Sequence, residues 1–140
     1  MTMGYLAVAV LLSALTLRAA PGGTTGAEQE PRYDPASVVD VEATVLEVRD
    51  APQNKTSAKG IFLLVKTERE TIDVYVGPAD FLKDFDIVFA RGDRVQIIGS
   101  RVRSGEGYLI LAREVRRRER TLYLRTRNGE PNWPTPKRTT

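Results

Sequence analysis

The chain is 140 residues long, carries a net charge of +3 and contains neither cysteine nor histidine. A length of this order allows one domain built around one core. The missing side chains exclude disulfides, thiol nucleophiles, Cys/His zinc sites, covalent haem attachment and imidazole acid–base catalysis.

An uncharged apolar run of 14 residues, Gly4 to Leu17, stands at the extreme N-terminus. The run is shorter than the roughly 20 residues of a membrane helix and suits the apolar region of a secretory signal. We interpret residues 1–27 as a signal peptide, with cleavage after Ala27 preferred to cleavage near Ala19 and Ala20. The alternative is a buried N-terminal helix. Export predicts a periplasmic or secreted protein with no membrane anchor after cleavage.

The next segment is rich in Pro, Gly, Thr and Glu, so we expect a disordered spacer over residues 28–36 and a fold that starts near Ser37. From Val39 onward, alternating apolar residues predict a first strand. The apolar parity shifts at Leu46, which predicts a bulge or a strong bend. Residues 50–59 are polar and predict a loop.

Two apolar runs, 61–65 and 72–76, flank Glu68-Arg69 and predict a β-hairpin. A turn centred on that pair places Phe62 opposite Tyr75 on the outer face. The inward pairs of this register are Val65 with Ile72, Leu63 with Val74, and Ile61 with Val76.

Gly77-Pro78 ends the third strand, and the spacing of the apolar residues that follow predicts a short helix that plugs a barrel. Residues 90–115 predict two further strands joined by a turn at 104–107. Leu122 and Leu124 mark a sixth strand, and Asn128-Gly129 is typical of a type I′ turn. The helix carries its apolar residues at Phe81, Leu82, Phe85 and Phe89.

The element order is therefore three strands, a short helix, two strands and a C-terminal extension. This order predicts an all-β protein with one short helix: an OB-fold-like, five-stranded Greek-key barrel plus a C-terminal strand and turn. The domain would cover residues 37–133, and residues 134–140 would form a disordered tail.

Charge is unevenly distributed between the two halves of the predicted mature chain. Residues 28–90 have a net charge of −6, whereas residues 91–140 have a net charge of +8. Such polarity can attract an anionic partner, or it can drive self-association between opposite surfaces.

A cluster of arginines near the end of the fifth strand is the main candidate for ligand binding. It could neutralise phosphates of a nucleic acid or the charges of another polyanion. Export argues against chromosomal DNA as the partner. The alternative is a solvated edge with local ion pairs to Glu114 and Glu119. The cluster comprises Arg113, Arg116, Arg117, Arg118 and Arg120.

Phe62 and Tyr75 form a second candidate site, because this face of an OB-fold commonly stacks bases or sugars. The alternative is structural packing beneath a loop. Arg125 and Trp133 are candidates for docking a partner, and the alternative for Trp133 is a packing anchor.

The sequence indicates no catalytic residue, metal ligand or cofactor. Asp80, Asp84 and Asp86 offer oxygen ligands, but their spacing matches no calcium loop and is typical of a solvated helix face. We expect a protein that is not an enzyme.

Four segments together resemble a known family: GPADFL (77–82), ARGDRVQIIGSRV (90–102), LAREV (111–115) and LYLRTRNGEPNW (122–133). The chain is similar to small exported bacterial OB-fold proteins, namely magnetosome S/X-type domains and, more distantly, the periplasmic BOF stress-tolerance family. The resemblance implies a non-enzymatic envelope domain. Its haem-binding members carry a cysteine-based attachment motif, which this chain lacks.

The resulting expectation is a periplasmic or envelope binding module or assembly adaptor, whose partner is an envelope protein or an anionic ligand. Two alternatives stay open. One is nucleic-acid or polyanion binding through the arginine cluster and the Phe62/Tyr75 face, and the other is a self-associating structural domain.

Overall fold

The structure is a computed structural model, and it describes residues 31–52 and 59–134. The predicted signal peptide, the first residues of the predicted spacer, residues 53–58 of the predicted loop and the predicted tail after Pro134 lie outside the described residues. Within the described ranges, three short helical segments occur: a 3₁₀ turn at Pro35–Ser37, helix α1 at Ala79–Leu82 and a second 3₁₀ turn at Lys83–Phe85. The strands are β1 (Val38–Pro52), β2 (Lys59–Lys66), β3 (Thr71–Pro78), β4 (Arg94–Ser104), β5 (Gly107–Arg117) and β6 (Arg120–Tyr123).

Five of these strands close into a barrel. The sheet order is β3-β2-β1-β4-β5-β6, and β3 also pairs with β5 in parallel. That closing seam consists of three residue pairs, which join Asp73–Tyr75 to Leu109–Leu111. The predicted element order and the predicted all-β, OB-fold-like barrel are confirmed.

Strand β1 is long enough to belong to both sides of the barrel. Val38–Thr44 pairs with β4, and Thr44–Pro52 pairs with β2. The pairing with β2 shifts between Val45 and Glu47, so Leu46 is the extra residue of a bulge. A bulge bends a strand and increases its twist, which lets one strand turn from one side of the barrel to the other. The parity shift predicted at Leu46 is confirmed.

The β2–β3 hairpin follows the predicted register except at its open end. Phe62 pairs with Tyr75 and Leu63 with Val74, as predicted. Ile61, however, pairs with Gly77 and not with Val76, because a bulge shifts the register between Ile61 and Phe62. The bulge bends β3 just before the chain enters α1, and a strictly alternating pattern does not reveal such a bend.

Aliphatic side chains from all six strands fill the interior of the barrel. The fully buried aliphatic residues include Val45, Leu63, Val65, Val74, Val76, Ile97, Ile110, Val115 and Leu124, and Leu122 is nearly so.

The helical plug is shorter than predicted, because the α-helix gives way to a 3₁₀ turn at Lys83 and Asp86 has a left-handed backbone with φ of 51°. Leu82 and Phe89 are buried as expected, whereas Phe85 is exposed.

A third bulge, in β5, starts the C-terminal extension. The β4–β5 register shifts so that Ile98 pairs with Glu114 but Gly99 pairs with Ala112, which leaves Arg113 as the extra residue. The Arg113 carbonyl then accepts hydrogen bonds from the backbone N–H groups of Leu124, at 2.7 Å, and Arg125, at 3.3 Å. The bulge thereby continues the β5–β6 pairing beyond the end of β6.

The extension turns back through residues 126–129. The prediction of a type I′ turn is wrong, since that turn requires positive φ at both central residues and here only Gly129 has a positive φ, of 90°. Instead, Gly129 N–H donates to Thr126 O and Thr126 N–H donates to Glu130 O, both at 2.9 Å. This is a three-residue loop with a left-handed glycine.

The N-terminal residues of the described region pack on the barrel. Asp34 N–H donates to Ser100 Oγ at 2.9 Å, and Ser100 Oγ donates back to Asp34 O at 3.0 Å. Tyr33 lies against Gly129, where a Cβ would be 2.7 Å from Tyr33 Cβ. Residues 31–36 are therefore ordered against the barrel, in contrast to the spacer expected there. No helix in the described part of the chain is long and apolar enough to cross a bilayer.

Candidate functional site

The structure divides the arginine cluster between two surfaces. Arg113 forms an ion pair with Glu114 at 3.5 Å, and Arg116 donates to Thr121 Oγ1 at 3.2 Å. Arg117, Arg118 and Arg120 lie elsewhere, at the β5–β6 turn. They line an open depression of about 860 Å³ together with the turn that leads into the neighbouring strand β4. We call it the arginine cleft; its lining residues are Gly92, Asp93, Arg94, Arg117, Arg118, Glu119 and Arg120.

One wall of the arginine cleft is the turn that leads into β4. Gly92 supplies the left-handed backbone of this turn, with φ of 92°. The turn is fixed to β1, because Gly92 N–H donates to Val45 O at 2.7 Å and Val45 N–H donates to Asp93 O at 2.8 Å. Two backbone hydrogen bonds therefore join this wall of the cleft directly to the barrel.

Asp93 joins the two walls. Its Oδ2 accepts a hydrogen bond from Ala90 N–H at 2.9 Å and from Arg117 Nη1 at 3.0 Å. The Ala90 amide and then the Arg117 guanidinium hold the pKa of Asp93 below its ordinary value. Asp93 therefore stays ionised at neutral pH and neutralises Arg117 within the cleft.

Two of the four cleft arginines donate hydrogen bonds to backbone carbonyls of the same chain. Arg117 also donates to Val88 O, and Arg120 Nη2 donates to Phe85 O at 2.6 Å. These bonds tie the segment after α1 to the β5–β6 turn. Arg117 and Arg120 thus have a structural task in addition to their charge.

Arg94 and Arg118 are in a different position. Both are exposed, and among residues 31–52 and 59–134 no carboxylate lies within 4.0 Å of either guanidinium. Arg118 also has a positive φ of 56°, a conformation that costs a residue with a Cβ about 1 kcal/mol or more. In the described part of the chain neither guanidinium forms an ion pair or a side-chain hydrogen bond, although the charge of Arg118 helps to lower the pKa of Asp93, so the donors of both arginines are available to an anion.

The aromatic candidates Phe62 and Tyr75 lie together, as predicted, with ring centroids 5.0 Å apart. Tyr75 is only 7% exposed. The C-terminal extension covers it, since Trp133 contacts the Tyr75 ring edge-on at 6.3 Å and packs on Gly77. The pair therefore has the packed environment that the alternative interpretation described, and Tyr75 presents no open ring face.

Arg125 and Trp133, the candidates for partner docking, pack against each other. The Arg125 guanidinium lies 5.0 Å from the Trp133 ring and 6.0 Å from the Tyr33 ring. Its Nη1 donates to Gly129 O at 2.9 Å, and burial lowers its pKa. Both side chains hold the two terminal segments on the barrel, while their contact with a partner stays a prediction.

A second depression, of about 740 Å³, lies beside the β2–β3 turn. Arg101 and Glu70 form a two-pronged ion pair in its wall, with N–O distances of 2.7 and 2.9 Å. The hydrogen bond from Arg101 lowers the pKa of Glu70. Arg101 and Glu70 neutralise each other, so this depression offers fewer unpaired guanidinium donors than the arginine cleft.

Sequence reasoning missed Arg94 and Asp93 as members of the site. The local pattern at Gly92-Asp93 indicates only a turn. The available signal was the predicted hairpin of β4 and β5, because a turn at 104–107 brings the start of β4 beside the end of β5. Within the described ranges no three His, Cys, Asp or Glu side chains group in a way that could hold a metal ion.

Comparison with known proteins gives one family. The model of the MamS/MamX magnetosome protein family matches residues 37–122, which span most of the barrel and β6. Searches of curated proteins and of solved structures found no match.

Proposed function

The chain belongs to the MamS/MamX magnetosome protein family, and from that premise we propose that it is a non-enzymatic binding or assembly-adaptor module of the bacterial envelope. Its binding surface in this proposal is the arginine cleft, and its partner presents an anionic group. The free guanidinium groups of Arg94 and Arg118 carry the proposal.

Three properties of the cleft support anion binding. Arg117 and Arg120 are held in place by Asp93 and by backbone carbonyls, so the cleft walls do not need to be ordered when a ligand arrives. Arg94 and Arg118 have unspent donors in a fork geometry that suits carboxylates and phosphates. Arg118 adopts a strained backbone at the tip of the β5–β6 turn, and strain of this kind tends to concentrate at functional sites.

The non-enzymatic part of the proposal rests on the sequence. The chain lacks Cys and His, which removes the side chains most often used as nucleophiles and as general bases near neutral pH. A binding role requires no such chemistry.

Export is the first prediction that follows. The apolar N-terminal run should direct the chain across the inner membrane, so fractionation of the host bacterium should find a shortened protein in the periplasm or the medium. Edman sequencing of that form would locate the cleavage site, and we expect Glu28 at its N-terminus. Recovery of the intact, uncleaved chain from the cytosol would contradict export.

The second prediction concerns anion binding, with heparin as the probe. The double variant Arg94→Glu/Arg118→Glu should bind heparin at least about tenfold more weakly at low salt. A plot of log affinity against log salt concentration has a negative slope. The magnitude of this slope should decrease by about two in the double variant, since two ionic contacts are lost. Isothermal titration at several salt concentrations measures both quantities.

The matched control is Arg69→Glu/Arg127→Glu. It changes the net charge by the same amount, and both arginines are exposed and lie outside the arginine cleft. We expect this control to keep most of the heparin affinity of the parent chain. Equal losses in the two double variants would mean that overall charge, and not the cleft, attracts the polyanion, and the proposed site would be wrong.

The two remaining interpretations have their own outcomes. Single-stranded DNA that binds more tightly than heparin, and more weakly after Phe62→Ala, would favour nucleic-acid binding through the Phe62/Tyr75 face. A molecular mass that rises with protein concentration at low salt, by light scattering, would favour self-association between the acidic and basic halves.

A further inference from the structure

The segment that follows α1 presents apolar side chains to solvent beside the arginine cleft. We call residues 83–90 the apolar loop. Val88 is 79% exposed and Phe85 is 36% exposed, whereas Phe89, in the same loop, is buried with 8% exposure. Val88 has the highest exposure of the large hydrophobic residues in the described part of the chain. A single exposed aliphatic side chain is common on protein surfaces, but Val88 lies next to a cationic surface.

The exposure of this loop does not arise from a lack of contacts. Arg117 donates to the carbonyl of Val88, and Arg120 donates to the carbonyls of Phe85, at 2.6 Å, and Asp86, at 3.3 Å. The Phe85 ring lies 4.9 Å from the Phe81 ring, and the Phe89 side chain is anchored in the core. The backbone is thus held by the arginine cleft while Val88 points outward.

Charge around the loop is positive but moderate. Residues 83–94 and 116–120 together carry seven basic and four acidic side chains, a net charge of +3. Asp84 and Asp86 on the loop itself reduce the attraction for an anion. Charge alone would therefore bind an anionic surface weakly, and an apolar contribution would add to it.

We propose that the apolar loop and the arginine cleft together form a docking surface for an anionic lipid bilayer. Val88 and Phe85 would enter the boundary between headgroups and acyl chains, and Arg94 and Arg118 would contact lipid phosphates. This inference rests on the proposed function, because it uses the same two free arginines and names the anionic partner.

A bilayer fits this surface better than a nucleic acid does. Lipid phosphates lie directly above hydrocarbon, so a protein that places aliphatic side chains next to guanidinium groups meets both layers at once. Nucleic-acid phosphates offer nothing to an aliphatic side chain such as Val88. The few apolar groups predict a reversible contact, not a permanent anchor.

The test uses the full chain and reads the position of the loop itself. Because the chain has no cysteine, Val88→Cys provides a single site for an environment-sensitive nitrobenzoxadiazole label. On vesicles of phosphatidylcholine with phosphatidylglycerol, the label should shift its emission to shorter wavelength. Lipids with a spin label on the acyl chain should quench it. Vesicles of pure phosphatidylcholine should produce neither change.

Glu106→Cys is the control position, in the exposed β4–β5 turn. A label there should remain in water on both kinds of vesicle, even if the apolar N-terminal run holds the chain on the membrane. Adding Arg94→Glu/Arg118→Glu to the Val88→Cys chain should weaken the anionic-lipid response roughly 30-fold or more, at about fivefold per basic residue near an anionic surface.

The outcomes separate this inference from the proposed function. If the label at position 88 stays in water on anionic vesicles while heparin binding still depends on Arg94 and Arg118, the lipid inference is wrong and anion binding by the cleft stands. If the heparin dependence is also missing, both are wrong. An equal shift of the labels at positions 88 and 106 would likewise overturn the loop as the docking surface.

Discussion

Gly99→Ala should lower the free energy of unfolding by about 3 kcal/mol or more, because no space exists for a side chain at this position. A Cβ on Gly99 would meet the backbone carbonyl of Leu111 and would lie 2.9 Å from Ala112 Cα. Both neighbours are backbone atoms of β5, which cannot rotate away as a side chain can. Urea unfolding of the full chain, followed by circular dichroism and by fluorescence of the single tryptophan, measures the loss.

Gly107→Ala is the control for this prediction. Gly107 begins β5, its φ is not positive, and no atom lies within 4 Å of a Cβ built there. Its substitution should change the free energy of unfolding by less than about 1 kcal/mol. Similar stability of the two alanine variants would mean that β4 and β5 separate easily at the Arg113 bulge, contrary to the packing described above.

Leu124→Ala should cost about 3 kcal/mol of stability, since deletion of a fully buried leucine side chain leaves a cavity. Leu124 is 0% exposed and belongs to the main core. Its backbone N–H is also bound to Arg113 O at 2.7 Å, so the surroundings cannot easily collapse into the space. The same urea experiment measures the effect.

Tyr123→Ala provides the comparison one residue earlier. Tyr123 is 61% exposed, so its truncation should change stability by roughly 0.5 kcal/mol or less. The family match ends at residue 122, and Leu124 lies just beyond it. A small effect of Leu124→Ala would show that the C-terminal extension is an accessory to the barrel; a large one would make it part of the folding unit.

The sequence predicted the strands well where one face of each strand is buried. Alternation fixes which residues point inward, so the pairing of Phe62 with Tyr75 followed from the pattern alone. The Leu46 bulge was visible because it reverses that alternation. The shift at Ile61 was not visible, since Val76 and Gly77 are both compatible with a buried position.

The candidate site was only partly predictable. The run of arginines in the sequence does not reveal which guanidinium groups donate hydrogen bonds to backbone carbonyls of the same chain. In the structure Arg117 and Arg120 do so. Arg94 lies more than twenty residues from Arg118 in sequence, and the antiparallel β4–β5 ladder, in which Gln96 pairs with Arg116, brings the two together. Phe85 was expected in the core because a longer helix was expected; the left-handed Asp86 ends that helix early and leaves Phe85 outside.

The parallel seam between β3 and β5 has a consequence for how the domain opens. It is held by three residue pairs, whereas the β4–β5 ladder has nine. Amide hydrogens on the seam should therefore exchange with solvent through a local opening that leaves the hairpins intact. Trp133 packs on Tyr75 beside the seam residues Leu109 and Leu111, so we expect the seam to open only after the C-terminal extension has separated from the barrel, and exchange at the seam should then report how often that separation occurs.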